Sequence, residues 1–171
     1  HAFIDAVQHT LKLEGGYVND PKDAGGETNY GISKRRYPHL DIKHLSLDEA
    51  ISIYYRDYWL AYDLDKLAPV YAAFLFDSLI NHRPKTAARF LQKAFNVTAD
   101  GIIGPRSITA INRFRKNDEY VKQQLIKAFA FRADFYHDLV TENSSQERFI
   151  MGWFRRLFDL QQFILKTYCK E

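Results

Sequence analysis

Five of the chain's eight glycines fall between residues 15 and 31, and no later stretch is as rich in them. Glycine at this density, mixed with Asp20, Pro21, Asp23, Thr28 and Asn29, excludes a long regular element. It predicts tight turns and a short hairpin or irregular sheet. What precedes it is helical in pattern. Phe3, Val7 and Leu11 recur every four residues and form one apolar stripe. At 100° per residue, Glu14 lies about 20° from the line of Phe3 and Val7, so it continues the stripe. A carboxylate on a core-facing stripe is anomalous, because buried glutamates are rare without a partner. Gly15 and Gly16 then end the helix, and one of them is expected in a left-handed cap. Desolvation and the negative end of the helix dipole both disfavour an anion in that last turn, which suits a general acid. The other reading of the same residue is a frayed helix end whose side chain turns outward into water.

The segment that follows supplies partners. A turn-rich insert can fold back and bring Asp23 and Thr28 to face Glu14. Two carboxyl groups in different environments, one protonated and one ionised, are what glycoside hydrolysis requires. Glu14 would protonate the leaving oxygen, Asp23 would activate or place a water, and the Thr28 hydroxyl would help to hold it.

The run Glu14-Gly15-Gly16-Tyr17, then Asp20-Pro21, Asp23, Gly25-Gly26, Thr28 and Gly31-Ile32, resembles the signature of glycoside hydrolase family 108. These are N-acetylmuramidases found as phage endolysins and as secretion-associated muramidases. The resemblance implies that Glu14 is the catalytic acid and that the fold is mainly α and lysozyme-like, with a small β-hairpin or irregular insert after the first helix. The spacing is also similar to the Glu-Asp-Thr triad of phage-type lysozymes. There the gap from Asp to Thr is usually one residue longer.

Beyond the insert the pattern is helical throughout. Ser46 with Glu49 three residues on is a capping box that opens a helix to about Tyr62. Pro69, Pro84 and Pro105 stand where first helical turns begin. Helices are expected over 70–82, 85–96, 106–116, 119–140 and 146–168, the last broken near Gly152. Tyr54, Tyr55, Tyr58 and Trp59 crowd one helix, and their spacing reads as core more than as a sugar-stacking face. Asp77 and Asn81 sit four apart on an apolar helix. Either they bond to each other and to buried backbone, or they line a cleft opposite Glu14; the family's Asp-x-x-x-Asn pattern favours the cleft. Where the family usually has glycine two residues after that Asn, this chain has Arg83.

Leu91-Gln92 with Asp100-Gly101-Ile102-Ile103-Gly104-Pro105 and Ser107-Ile108 is similar to a peptidoglycan-binding motif. Physically it is a turn, with breakers flanking two apolar residues expected to plug into the core. Gly152-Trp153 and Arg155-Arg156 are similar to the Gly-Trp-x-x-Arg element near the family's C-terminus; Gly152 is expected to permit close helix packing and Trp153 to cover the core. The motifs divide the chain into a muramidase part, 1–83, and a helical peptidoglycan-binding-type part, 84–171, expected to form one packed unit. Tyr17, Asn29, Tyr30, Asp77 and Asn81 are the candidate substrate contacts.

Composition excludes several classes. The single cysteine, Cys169, permits no intrachain disulfide. The six histidines are scattered and form no zinc pattern, so neither metal nor cofactor is expected. The net charge of +3 is mild and decides little. Lys34-Arg35-Arg36 and Arg113-Arg115-Lys116 are too short to read as a nucleic-acid surface. The longest apolar run, Leu67 to Ile80, is interrupted by Asp77 and too short to span a bilayer. No signal peptide is visible, so synthesis in the host cytoplasm and action on the cell wall or periplasm are expected. Glycan strands of bacterial peptidoglycan are the expected partner, and a monomer the expected state. The alternatives are a lytic transglycosylase, which needs the same acid but no water, a non-catalytic peptidoglycan-binding module, and a chitinase or chitosanase on a related fold.

Overall fold

The computed structural model describes residues 1–22 and 24–169. The chain is mainly α, with a small antiparallel sheet after the first helix. It divides into two units, the first from His1 to Tyr62 and the second from Asp63 onward.

In the first unit, α1 (Ala2–Leu13) buries Phe3, Ala6, Val7 and Thr10. Phe3, Val7 and Thr10 are spaced by four and then three, and a further step of four reaches Glu14, while Leu11 is only half-buried. Strands β1 (Val18–Asn19), β2 (Glu27–Asn29) and β3 (Ile32–Ser33) follow. Val18 pairs with Thr28 and Thr28 with Ser33, while Asn29 pairs with Ile32 across a two-residue turn. Both turn residues have left-handed φ, Tyr30 at 53° and Gly31 at 77°, the requirement of a type I′ hairpin.

Helix α2 (Leu47–Tyr54) opens on the expected capping box. Ser46 Oγ accepts from Glu49 N at 3.1 Å, and Glu49 Oε2 accepts from Ser46 N at 2.8 Å. The helix then widens into a π-helical segment, Tyr55–Leu60, which the sequence pattern did not announce. Tyr54 and Trp59 are each 1% exposed, and Phe3 packs on Trp59 with centroids 5.4 Å apart. The tyrosine-rich run is therefore core, except Tyr55, which stays partly exposed. Lys34 and Arg36 of the first basic cluster are committed to the fold. Lys34 Nζ donates to Leu40 O at 2.6 Å, and the Arg36 guanidinium lies 4.4 Å from the Tyr58 ring centroid.

The second unit is helical: α3 (Pro69–Asn81), α4 (Pro84–Ala94), α5 (Pro105–Asn112), α6 (Asp118–Glu142) and α7 (Ile150–Tyr168). Each of the three prolines occupies a first turn, as expected. Helix α3 is buried from Val70 to Leu79 and packs against α4 and α7. Each fully buried Phe on it, such as Phe74 and Phe76, contributes about 1.5–3 kcal/mol by leaving water.

Three expectations are corrected. Gly15 and Gly16 do not adopt left-handed φ; Glu14 itself ends α1 by turning extended, at φ −82° and ψ 135°. The break expected near Gly152 lies just before it, where a 3₁₀ segment, Ser144–Phe149, gives way to α7 at Ile150, but a Cβ on Gly152 would meet nothing within 4 Å, so the glycine permits no close packing. Trp153 still covers the core, stacked on Tyr136 at 5.1 Å.

The third concerns the Asp-Gly turn. Ile102 is 63% exposed and Ile103 half-buried, so neither plugs fully into the core. The plug is Gln92, which is fully buried. Its amide donates to Asp100 Oδ1 and Ile102 O at 2.9 Å each, and its Oε1 accepts from Gly101 N at 2.9 Å. Hydrogen bonds from Ile102 N and from the Gln92 amide hold the Asp100 carboxyl below its ordinary range.

Candidate functional site

In the first unit the chemistry gathers where α1 ends. Glu14 N donates to Thr10 O at 3.0 Å, satisfying the last turn as the backbone leaves the helix. The side chain is half-buried. Its Cγ and Cδ lie 2.8 and 3.0 Å from the point where a Cβ on Gly31 would stand. The Tyr54 hydroxyl lies 2.6 Å from that same point and donates to Tyr30 O at 2.7 Å. Helix end, hairpin turn and α2 thus meet around one glycine. Of the two readings of Glu14, turned out into water or held against the fold, the structure has the second. The sequence carried a signal for Gly31, since glycine readily takes the positive φ that the second position of a type I′ turn needs, but none for Tyr30 at positive φ or for the approach of Tyr54.

The other candidates are distributed on the sheet. Side chains alternate along a strand, so Thr28, Val18 and Ser33 share one face, and Asn19, Glu27, Asn29 and Ile32 share the other. The second face turns inward at Asn29 and Ile32, which are 7% and 2% exposed. Asn29 Nδ2 donates to Ile42 O at 3.1 Å, which ties β2 to the loop beyond the sheet. Thr28 and Tyr30 are half-buried. Tyr17 is 38% exposed. Loss of solvation and the nearby Glu27 carboxylate raise its hydroxyl above the ordinary value. Glu27 is a carboxylate in this unit that the sequence reading did not single out. Asp23 lies outside the described residues. Its neighbour Asp20 is exposed and accepts from Lys22 N at 2.9 Å.

Asp77 and Asn81 belong to the second unit, where Asn81 Nδ2 donates to Asp77 O at 2.8 Å and Oδ1 at 3.1 Å. Asp77 is 1% exposed. Its Oδ1 meets Arg132 Nη1 at 2.8 Å and its Oδ2 meets Arg156 Nη2 at 3.3 Å. Arg132, fully buried, also donates through Nη1 to Ser78 Oγ and through Nε to Tyr136 Oη, each at 3.1 Å. Asn81 is exposed, and Arg83, also exposed, caps α4 with an ordinary extended backbone.

His82 completes this cluster, with Nε2 3.1 Å from Tyr136 Oη. Burial, then the Arg132 cation, lower its pKa to about 3. An unfolded histidine titrates near 6.5. Between those values the unfolded chain takes up a proton that the folded chain refuses, so stability falls as pH drops from about 6.5 toward 3. We expect His82→Gln to flatten that decline, measured as urea midpoints at neutral and acid pH. An equal decline in the variant would assign it to other groups.

Asp134, His137 and Asp138 gather on the exposed side of α6 with possible ligand atoms within 4.8 Å of one another. Among the described residues, no second feature at that place points to an ion.

Residues 7–82 match the family model described as glycosyl hydrolase 108, and residues 86–158 match the predicted peptidoglycan domain model. A solved structure, that of Brucella abortus SagA, is similar over 99% of this chain and 97% of its own length, at 26% identity and a TM-score of 0.75. No curated protein matches the chain at a significant level.

Proposed function

We propose, for a chain that belongs to the glycosyl hydrolase 108 family along residues 7–82 and to the predicted peptidoglycan domain family along residues 86–158, and that is on these grounds a peptidoglycan hydrolase, that it is a muramidase. It hydrolyses the β-1,4 bond between N-acetylmuramic acid and N-acetylglucosamine, acting on the cell wall as an endolysin. Glu14 is the general acid that protonates the leaving glycosidic oxygen. Asp23 is the carboxylate that activates the attacking water, and Thr28 helps to place it. Tyr17, with its exposed ring on the chain just after Glu14, offers a flat apolar face and a polar edge to a sugar.

The observation that carries this reading is the setting of Glu14. It is half-buried, placed where α1 ends and set against Gly31. A general acid needs a fixed position beside its substrate, and a carboxylate waving in bulk solvent would lack one. Inversion at the anomeric carbon follows from a second carboxylate that activates water rather than attacking the sugar itself.

Mass analysis of the products from purified peptidoglycan tests the chemistry. Reducing N-acetylmuramic ends support hydrolysis, whereas anhydro ends would make the protein a lytic transglycosylase. Binding to walls without any product would leave only a peptidoglycan-binding module. Asp23→Asn is expected to lower turnover by at least about 100-fold, the low end for losing general-base assistance. Near-normal turnover in that variant would remove Asp23 from the mechanism and direct attention to Asp20.

A further inference from the structure

Tyr54 reads from the sequence as a core residue, and at 1% exposed it is one. Its ring rests beside Tyr58, with centroids 5.5 Å apart. The hydroxyl, however, emerges at the place where Glu14 lies. Tyr54 Oη and the Glu14 side chain both reach within 3.0 Å of one point, the vacant Cβ position of Gly31. No side chain can stand at that point without displacing one of them.

This matters because of how Glu14 leaves the helix. As the C-cap its backbone is already extended, so its side chain leaves in a direction that the regular turns of α1 do not set. Holding a glutamate side chain in one rotamer costs about 1.5–2 kcal/mol of rotamer entropy. Tyr54 has no such freedom, because its ring is buried and its proton is directed at Tyr30 O.

We infer that Tyr54 is a positioning residue for Glu14. Its hydroxyl and the bare Cα of Gly31 form a two-sided stop that holds the carboxyl in one place at the end of α1. The inference rests on the reading of Glu14 as the general acid, but it concerns an arrangement that exists before any substrate arrives. Tyr54 touches neither sugar nor water in this account and acts only through Glu14.

Tyr54→Phe keeps the ring and removes the oxygen. On purified glycan chains the variant is expected to lose about 10- to 100-fold in kcat with KM within about two-fold, since displacing a reacting group by ~1 Å can cost about 100-fold. Gly31→Ala is expected to do the same from the other side, because its Cβ would intrude on both groups and its φ of 77° resists a side chain. A second measurement does not depend on activity. Side-chain couplings of Glu14, from glutamate-labelled protein, are expected to report one rotamer in the wild type and an average over rotamers in Tyr54→Phe. Unchanged kcat and couplings, with only a lower unfolding midpoint, would overturn the inference and leave Tyr54 as an anchor of the hairpin turn. If the wild type cleaves no glycan, the muramidase reading fails, and the couplings alone then decide whether Tyr54 positions Glu14.

Discussion

Replacing Glu14 by Gln is expected to abolish clearing of purified cell walls while leaving the unfolding midpoint close to that of the wild type. The substitution keeps the shape and removes the transferable proton, so what it deletes is the general-acid step, worth about 10²- to 10⁴-fold in rate. Because the interaction is made only in the transition state, kcat and kcat/KM should fall together with KM little changed. Tyr54 and Gly31 border an amide of the same outline as the acid, which is why folding should be spared. Turbidity loss and product analysis on the same preparation check the result. A variant that still clears walls would move the acid elsewhere, and Glu27, the sheet's carboxylate, would be the next residue to test.

The largest expected effect on stability lies in the second unit, at Asp77. Its carboxylate receives Arg132 and Arg156 at 2.8 and 3.3 Å, and Arg132 is fully buried. Asp77→Ala would leave that guanidinium without its counter-ion in a dry interior, a loss of about 3–5 kcal/mol when one partner of a buried pair is removed. In a protein of this length each kcal/mol moves the melting midpoint by about 2–4 °C, so a fall on the order of 10 °C is expected by calorimetry. Replacing the fully buried pair, as Asp77→Leu with Arg132→Met, should recover part of it, since apolar groups of similar volume often substitute for a buried ion pair at little cost, and Arg156, with its side chain 20% exposed, keeps access to water. A small effect of Asp77→Ala would mean that water reaches Arg132, and that the pair is not truly dry.

These two sites differ in how far the sequence disclosed them. Glu14 was legible because its oddity is local: a carboxylate in phase with Phe3 and Val7, followed by two glycines. Even there the detail was wrong, since the helix ends by an extended turn at Glu14 and neither following glycine is left-handed. Asp77 and Asn81 were legible as a pair on one helix face, and they do bond. The two arginines that meet Asp77 were not legible, because nothing local distinguishes Arg132 from the many cations on amphipathic helices. The Asp-Gly turn shows the same limit. Its breakers were plain, but the expectation that Ile102 would fill the core failed because Gln92, on a preceding helix, already fastens the loop from inside.

What the sequence determined by itself is whatever depends on near neighbours along the chain. That includes the phase of α1, the capping box of α2, the prolines that start three helices, and the glycine-rich stretch that permits only short strands. Tertiary structure alone decided which distant groups share a space. Tyr54 reaches the backbone of Tyr30 across 24 positions, Arg132 reaches Ser78 across 54, and Arg156 reaches Asp77 across 79. Local periodicity fixes the direction in which a side chain leaves its own element, within a few residues. Which partner waits there is set by how whole elements pack, a quantity that no short window of sequence contains.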